Sequence, residues 1–198
     1  MTQRRTAHTH IRTARPEDVE AILTLIKALA HYEREPDAVV TREADLRGAL
    51  FPETGTPAAF AHVAEVEREP EGSAAAVPGR PVPGGFALWF PTFSTWTGKP
   101  GIWLEDLFVL PEHRGLGLGR ALLATLATEC RDRGYPRMDW SVLDWNTPSI
   151  GFYTALGARA LEDWTQFRLT GADLARLADQ DDPRPAGEWQ PPPVRSHS

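Results

Sequence analysis

Between Leu104 and Arg120 the chain reads LEDLFVLPEHRGLGLGR. An apolar run of strand character passes through a Pro-Glu-His turn into glycines at 115, 117 and 119. It then enters a helical repeat in which Leu118, Leu122, Leu126 and Cys130 recur at i, i+4, with Gly134 as the stop. Glycines at a helix mouth let backbone N–H groups come close to an anion. The helix start adds its dipole and Arg114 a full charge. Together they describe a phosphate or pyrophosphate cradle. A dinucleotide fingerprint competes with this reading, but Arg120 stands where its third glycine belongs, although Asp139 follows at a suitable distance. A P-loop fails because no Gly-Lys-Ser/Thr follows. A glycine turn that merely permits tight packing is the third reading, and Arg114 with its strand context weighs against it.

The rest of the chain supplies a mixed α/β order. His8–Ala14 reads as a strand, and Pro16-Glu17-Asp18 opens a helix carrying Val19, Ile22, Leu23, Ile26 and Leu29, stopped by Pro36. Thr41 is read as the cap of a second helix with Leu46, Leu50 and Phe51. Strands are expected at Ala58–Val66, Phe86–Phe90, Ile102–Val109, Met138–Leu143 and Trp164–Leu169. Residues 67–85, rich in Pro and Gly, are expected to form a mobile inserted loop, and Pro91–Gly101 a turn region. Helices follow from Thr147 to Gly157 and from Thr170 to Ala178. Residues 1–8 are a basic extension, 9–180 one domain, and 181–198 a Pro-rich tail expected to be disordered. The strand–helix–strand–helix–strand centre predicts a sheet with helices on both faces.

Composition narrows the chemistry. The net charge is −6, with the arginines Arg4, Arg5, Arg12 and Arg15 concentrated at the start, so the body is acidic and better suited to cationic small molecules than to nucleic acid. No apolar run approaches the ~18 residues of a membrane span, and no signal peptide is expected. A single cysteine, Cys130, excludes an internal disulfide and points to a reducing, cytoplasmic home. The six histidines show no metal-ligand spacing, so no metal is expected.

Arg114-x-x-Gly117-x-Gly119 after an acidic-apolar strand resembles the acyl-CoA pyrophosphate loop of the GNAT N-acetyltransferase superfamily. The likeness extends through Ile11-Arg12, Leu25-Ile26-Lys27-x-Leu29-Ala30-x-Tyr32-Glu33, Trp96-x-Gly98-Lys99, Leu104-Glu105-Asp106-x-Phe108-Val109 and Trp145-Asn146-x-Pro148-Ser149-Ile150-x-Phe152-Tyr153. Over about residues 9–170 the chain is similar to the diamine (spermidine/spermine) and thialysine N-acetyltransferases. That resemblance implies a GNAT fold: a mixed, mostly antiparallel sheet, splayed at its middle, with helices on both faces. It also implies acetyl-CoA as cosubstrate, a small amine as partner and a homodimer.

By the same resemblance Tyr153 protonates the departing thiolate. Glu105 accepts the amine proton through water and helps bind the cation, and Asp106 adds charge beside it. Adjacent residues of a regular strand face opposite ways, so the resemblance implies a bulge at this point. It assigns the coenzyme to the backbone of Leu107, Phe108 and Val109, to Arg114, Gly115, Leu116, Gly117, Leu118, Gly119 and Arg120, and to Asn146, Ser149 and Tyr153. The acceptor falls to Tyr32, Glu33, Glu105, Asp106 and Trp164. Asn146 also suits a turn and Ser149 a helix's first turn on local grounds alone. The expected reaction is acetyl transfer to a primary amine of a small diamine, polyamine or lysine-like amino acid. Acetylation of a protein or peptide and a non-catalytic acyl-CoA-binding domain are the alternatives. Tyr153 and Glu105 argue against the second.

Overall fold

A computed structural model describes residues 9–67 and 81–179, so the basic extension 1–8, most of the insertion and the tail 181–198 lie outside the described residues. The described chain divides after Leu143 into two compact units.

The first unit is a five-stranded sheet in the order β1 (Thr9–Thr13), β2 (Phe60–Glu67), β3 (Pro81–Ser94), β4 (Lys99–Val109), β5 (Met138–Asp139). The first four strands are antiparallel to their neighbours, and β5 runs parallel to β4. Alternation along the strands sorts the core into two layers. Ala61, Val63, Phe86, Leu88 and Phe108 pack under α1 (Val19–Tyr32) and α2 (Glu43–Leu50), which contribute Val19, Ile22, Leu23, Leu25, Leu46 and Leu50. On the opposite face lies α3 (Leu118–Arg133), burying Leu118, Leu122, Leu123, Leu126 and Cys130. Arg133 reaches from α3 to within 5.4 Å of the Trp89 ring, which fixes that tryptophan on the α3 side as core.

Several expectations are corrected. The strand expected at Phe86–Phe90 runs from Pro81 to Ser94, and its pairing absorbs residues 81–85 of the expected loop and Glu67 at its other end. The turn expected at Pro91–Gly101 shrinks to residues 95–98, because Pro91 pairs with Ile102 and Ser94 with Lys99. Prolines misled here for one reason. Pro81 and Pro83 lie beyond the point where β4 ends beside β3, and Pro91 lies beyond the start of β2. Pro100 precedes the pairing of β4 with β5. Among the described residues, each sits where its strand has a neighbour on one side only, and there a missing N–H is tolerated. The second helix is capped by Arg42, not Thr41: its N–H donates to Asp45 Oδ2 at 3.0 Å and its guanidinium pairs with the same carboxylate at 2.9 Å.

Met138–Leu143 shortens to Met138–Asp139, which meets β4 only at Ile102 and Trp103. Past Trp103, among the described residues, no strand pairs with β4 on that side, and the sheet is splayed there. The second unit holds α4 (Thr147–Ala155) and α5 (Gly171–Ala178). Trp164–Leu169 forms no strand in it.

An ion-pair cluster ties β1 to the start of α1. The Arg12 guanidinium grips Asp18 at 2.6 and 2.9 Å and Glu65 at 2.8 Å, while the Arg15 N–H donates to Asp18 at 2.7 Å. Burial alone would push the Asp18 carboxyl up, but hydrogen bonds from Arg12 and Arg15 outweigh it and hold the carboxyl below its usual range. Arg12→Ala strands a buried carboxylate. Discounted for partial exposure, the expected loss is about 2 kcal/mol, or about 6 °C in Tm, read by thermal denaturation. An unchanged Tm would show the cluster to be surface decoration.

Candidate active site

The site begins at an irregularity in the sheet. Trp89 pairs with Leu104 and Leu88 with Asp106, so Glu105 is the extra residue of a bulge in β4. A bulge frees two successive side chains from strict alternation and bends the strand. It stands where the bulge was expected and where β5 parts from β4. Trp103, two residues earlier, donates its Nε1–H to Glu105 Oε2 at 2.8 Å and fixes that exposed carboxylate. Asp106 lies opposite Leu88, a member of the core under α1, and so shares the face of that helix.

The end of α1 meets this face. The Glu35 N–H donates to the Ala30 carbonyl at 2.9 Å and the Arg34 N–H to His31 at 3.2 Å, a closing turn that needs a left-handed residue. Arg34 takes that conformation at φ +68°, where glycine is the usual choice. The strained turn holds Tyr32 and Glu33 in place, and strain of this kind is concentrated at functional sites. Burial pushes the Glu33 carboxyl up. Burial, then the charges of Glu105 and Glu33, push the Asp106 carboxyl up to about 6. The structure therefore brings together Tyr32, Glu33, Glu105 and Asp106.

Below them the opened edge of β4 carries Leu107, Phe108 and Val109. The Phe108 side chain is buried, so only its backbone is available to a ligand. A turn at Pro111–His113 leads to Arg114 and the glycines. Gly115 (φ +80°) and Gly117 (φ +82°) adopt left-handed conformations, and a methyl group built on either meets nothing within 4 Å. No side chain caps α3, whose N-terminus follows Gly117 directly. An open, uncapped, glycine-lined helix start suits a diphosphate. Leu118 is buried and offers only its N–H, whereas Leu116 and Arg120 are exposed.

In the second unit, the Asn146 side chain accepts from the Ser149 N–H at 3.3 Å and caps α4. That is the local role each residue type favours. Tyr153 lies inside α4, its ring tilted against Phe152 at 5.3 Å. Trp164 is exposed in irregular chain. Two features escaped sequence reasoning. The Trp103–Glu105 bond was legible as an i, i+2 pair on one strand face, but the stacking of Arg114 on Tyr32 at 4.8 Å joins residues with no local signal.

Comparison with known proteins follows the same line. The acetyltransferase (GNAT) family matches residues 23–158, across both units. The chain is 37% identical over 174 residues to a thialysine N-epsilon-acetyltransferase of Sus scrofa, covering 85% of this chain and 96% of the relative. It is 30% identical over 197 residues to an L-ornithine N5-acetyltransferase of Arabidopsis thaliana, covering 84% and 86%. Among solved structures, an integron cassette protein from V. cholerae shares the fold at a TM-score of 0.64 and 22% identity, over 86% of this chain and 97% of that one. With the glycine loop, the splayed sheet and these relatives in agreement, the chain belongs to the GNAT family and is an acetyl-CoA-dependent N-acetyltransferase.

Proposed function

We propose that this enzyme acetylates a primary amine of a small diamine, polyamine or lysine-like amino acid. The observation that carries this reading is the meeting of Glu33, Glu105 and Asp106 around the β4 bulge, where burial and then the charges of Glu105 and Glu33 raise the Asp106 carboxyl. Such a site attracts an ammonium, repels an acidic acceptor and gains nothing from a neutral one. The names of the thialysine and ornithine relatives, both enzymes of amino acids with a distal amine, support the same class.

Only the neutral amine attacks a carbonyl, so the acceptor must lose a proton. Glu105 is exposed and anchored by Trp103, which suits it to take that proton, directly or through a water. Glu33 and Asp106 hold the acceptor's second positive charge. The backbone of Leu107, Phe108 and Val109 and the loop from Arg114 to Arg120 hold the coenzyme. When bound, the coenzyme supplies an acetyl group activated as a thioester. Tyr153 is the phenol that would protonate the sulfur as it leaves, the role the family resemblance gives it.

An amine panel with thiol release as the readout tests the proposal. One charge-assisted hydrogen bond to the second ammonium should raise kcat/KM for a diamine over a monoamine of equal chain length by about tenfold to hundredfold. L-Ornithine, thialysine and spermidine should all exceed a lysine-containing peptide. Equal rates for diamine and monoamine, or a preference for the peptide, would overturn the assignment. Tight coenzyme A binding with no turnover on any amine would leave a binding domain.

A further inference from the structure

Arg114 joins two parts of the site that lie far apart in sequence. Its Nε–H donates to the Val109 carbonyl at 3.1 Å, which anchors the stem to the end of β4. Its guanidinium carbon lies 4.8 Å from the centroid of the Tyr32 ring and 5.7 Å from that of Phe108. The two rings are themselves neighbours, 6.5 Å apart and tilted by 51°. Phe108 is core, and Tyr32 is fixed by the last turn of α1, so both platforms are rigid. The guanidinium is thus held by one hydrogen bond and two ring faces, directly before Gly115. An arginine keeps five N–H donors in a planar fork, and Nε uses one of them here. The terminal amino groups remain to meet an anion at the glycine loop.

We propose that Tyr32 is a positioning residue for Arg114, and that its ring, at the acceptor end of the site, sets how tightly the coenzyme's diphosphate is held. This rests on the reading of the glycine loop as the coenzyme cradle. An unrestrained arginine loses rotamer freedom when it closes on a phosphate. One already stacked in place has lost it beforehand, and the ligand binds more tightly for it. The acceptor helix and the coenzyme loop are coupled through a single side chain.

A double-mutant cycle on coenzyme A binding, measured by titration calorimetry on the full chain, isolates the coupling. R114A should weaken binding about tenfold, through loss of a charge-assisted contact to phosphate. Y32L should weaken it about threefold to fivefold, the range of an exposed cation–π contact. Y32F keeps the ring and should bind like wild type. The Y32L/R114A double mutant should bind no more weakly than R114A alone, because the ring acts only through the guanidinium. Y32M, a second ringless variant of similar bulk, guards against a folding defect particular to leucine. Losses that multiply in the double mutant would overturn the clasp while leaving the cradle intact. So would a Y32F protein as weak as Y32L, or ringless variants that bind like wild type. A wild-type protein that fails to bind coenzyme A, or R114A binding as tightly as wild type, would overturn the cradle and the clasp with it.

Discussion

Replacing Tyr153 with Phe is expected to lower kcat for acetyl transfer by about two orders of magnitude, with the Kd for coenzyme A unchanged within about threefold. The substitution removes one oxygen and keeps the ring, so the tilted contact with Phe152 survives. The helix around it is held by other groups. Asn146 caps its start, and the Tyr153 backbone carbonyl accepts from the Leu156 N–H at 3.0 Å and the Ala158 N–H at 3.2 Å, with Gly157 left-handed between them. None of these backbone bonds involves the hydroxyl. The size of the kinetic effect follows from acidity. A thiol ionises near pH 8.5 and a phenol near pH 10, so the phenol is an adequate though not a strong acid toward a departing thiolate. A thiolate is also a tolerable leaving group unaided, which places the loss near the lower end of the range for general acid catalysis. Single-turnover measurement of thiol release separates chemistry from product release. An unchanged rate in that experiment would remove Tyr153 from the reaction.

How far the sequence foretold this site depends on the range of the interactions that make it. The glycine loop and the α3 stripe were readable because a helix start, a left-handed glycine and an i, i+4 repeat are local events. Leu118, Leu122, Leu126 and Cys130 are all buried as their spacing demands. The bulge at Glu105 was not a local reading. It came from resemblance, because a bulge is defined by the partner strand, here by Leu88 and Trp89. Proline was the main source of error, since Pro81, Pro83, Pro91 and Pro100 look like breakers until the sheet shows which side of each strand is unpaired. Trp164–Leu169 has strand composition but is irregular in the structure, and composition alone does not make a ladder. The convergence of Glu33 on Asp106 is tertiary in the same sense. The dipeptide Tyr32-Glu33 names a helix end, and only the packing of α1 over Leu88 and Phe108 brings it to the bulge.

Asp106→Asn is expected to make the protein more stable and the enzyme worse. Burial and the charges of Glu105 and Glu33 hold the Asp106 carboxyl near pH 6, whereas in the unfolded chain it titrates at the ordinary aspartate value of about 3.9. Between those values the folded state binds more protons than the unfolded one, so stability falls as pH rises through the window. Above about pH 6 the full cost of the buried charge is felt. Discounted for partial solvent access, it is about 2 kcal/mol, or roughly 6 °C in Tm. A neutral amide of the same shape escapes that cost. The variant should therefore melt higher than wild type at pH 7.5, with the difference shrinking as pH falls through the window and approaching zero only near pH 3, below both values, where the wild-type carboxyl is protonated in both states. Activity should move the other way: kcat/KM for a diamine should drop about thirtyfold through loss of one charge-assisted contact. Wild-type kcat/KM should itself decline as pH falls through about 6, while the variant loses that limb. Equal melting temperatures at both pH values would mean the carboxyl is solvated and carries no strain. A stabilised variant with undiminished diamine turnover would mean the acid is buried for some purpose other than holding the acceptor. A carboxylate kept at a standing cost in stability, beside two others, needs a cation to justify it, and the acceptor amine is the cation this reaction brings.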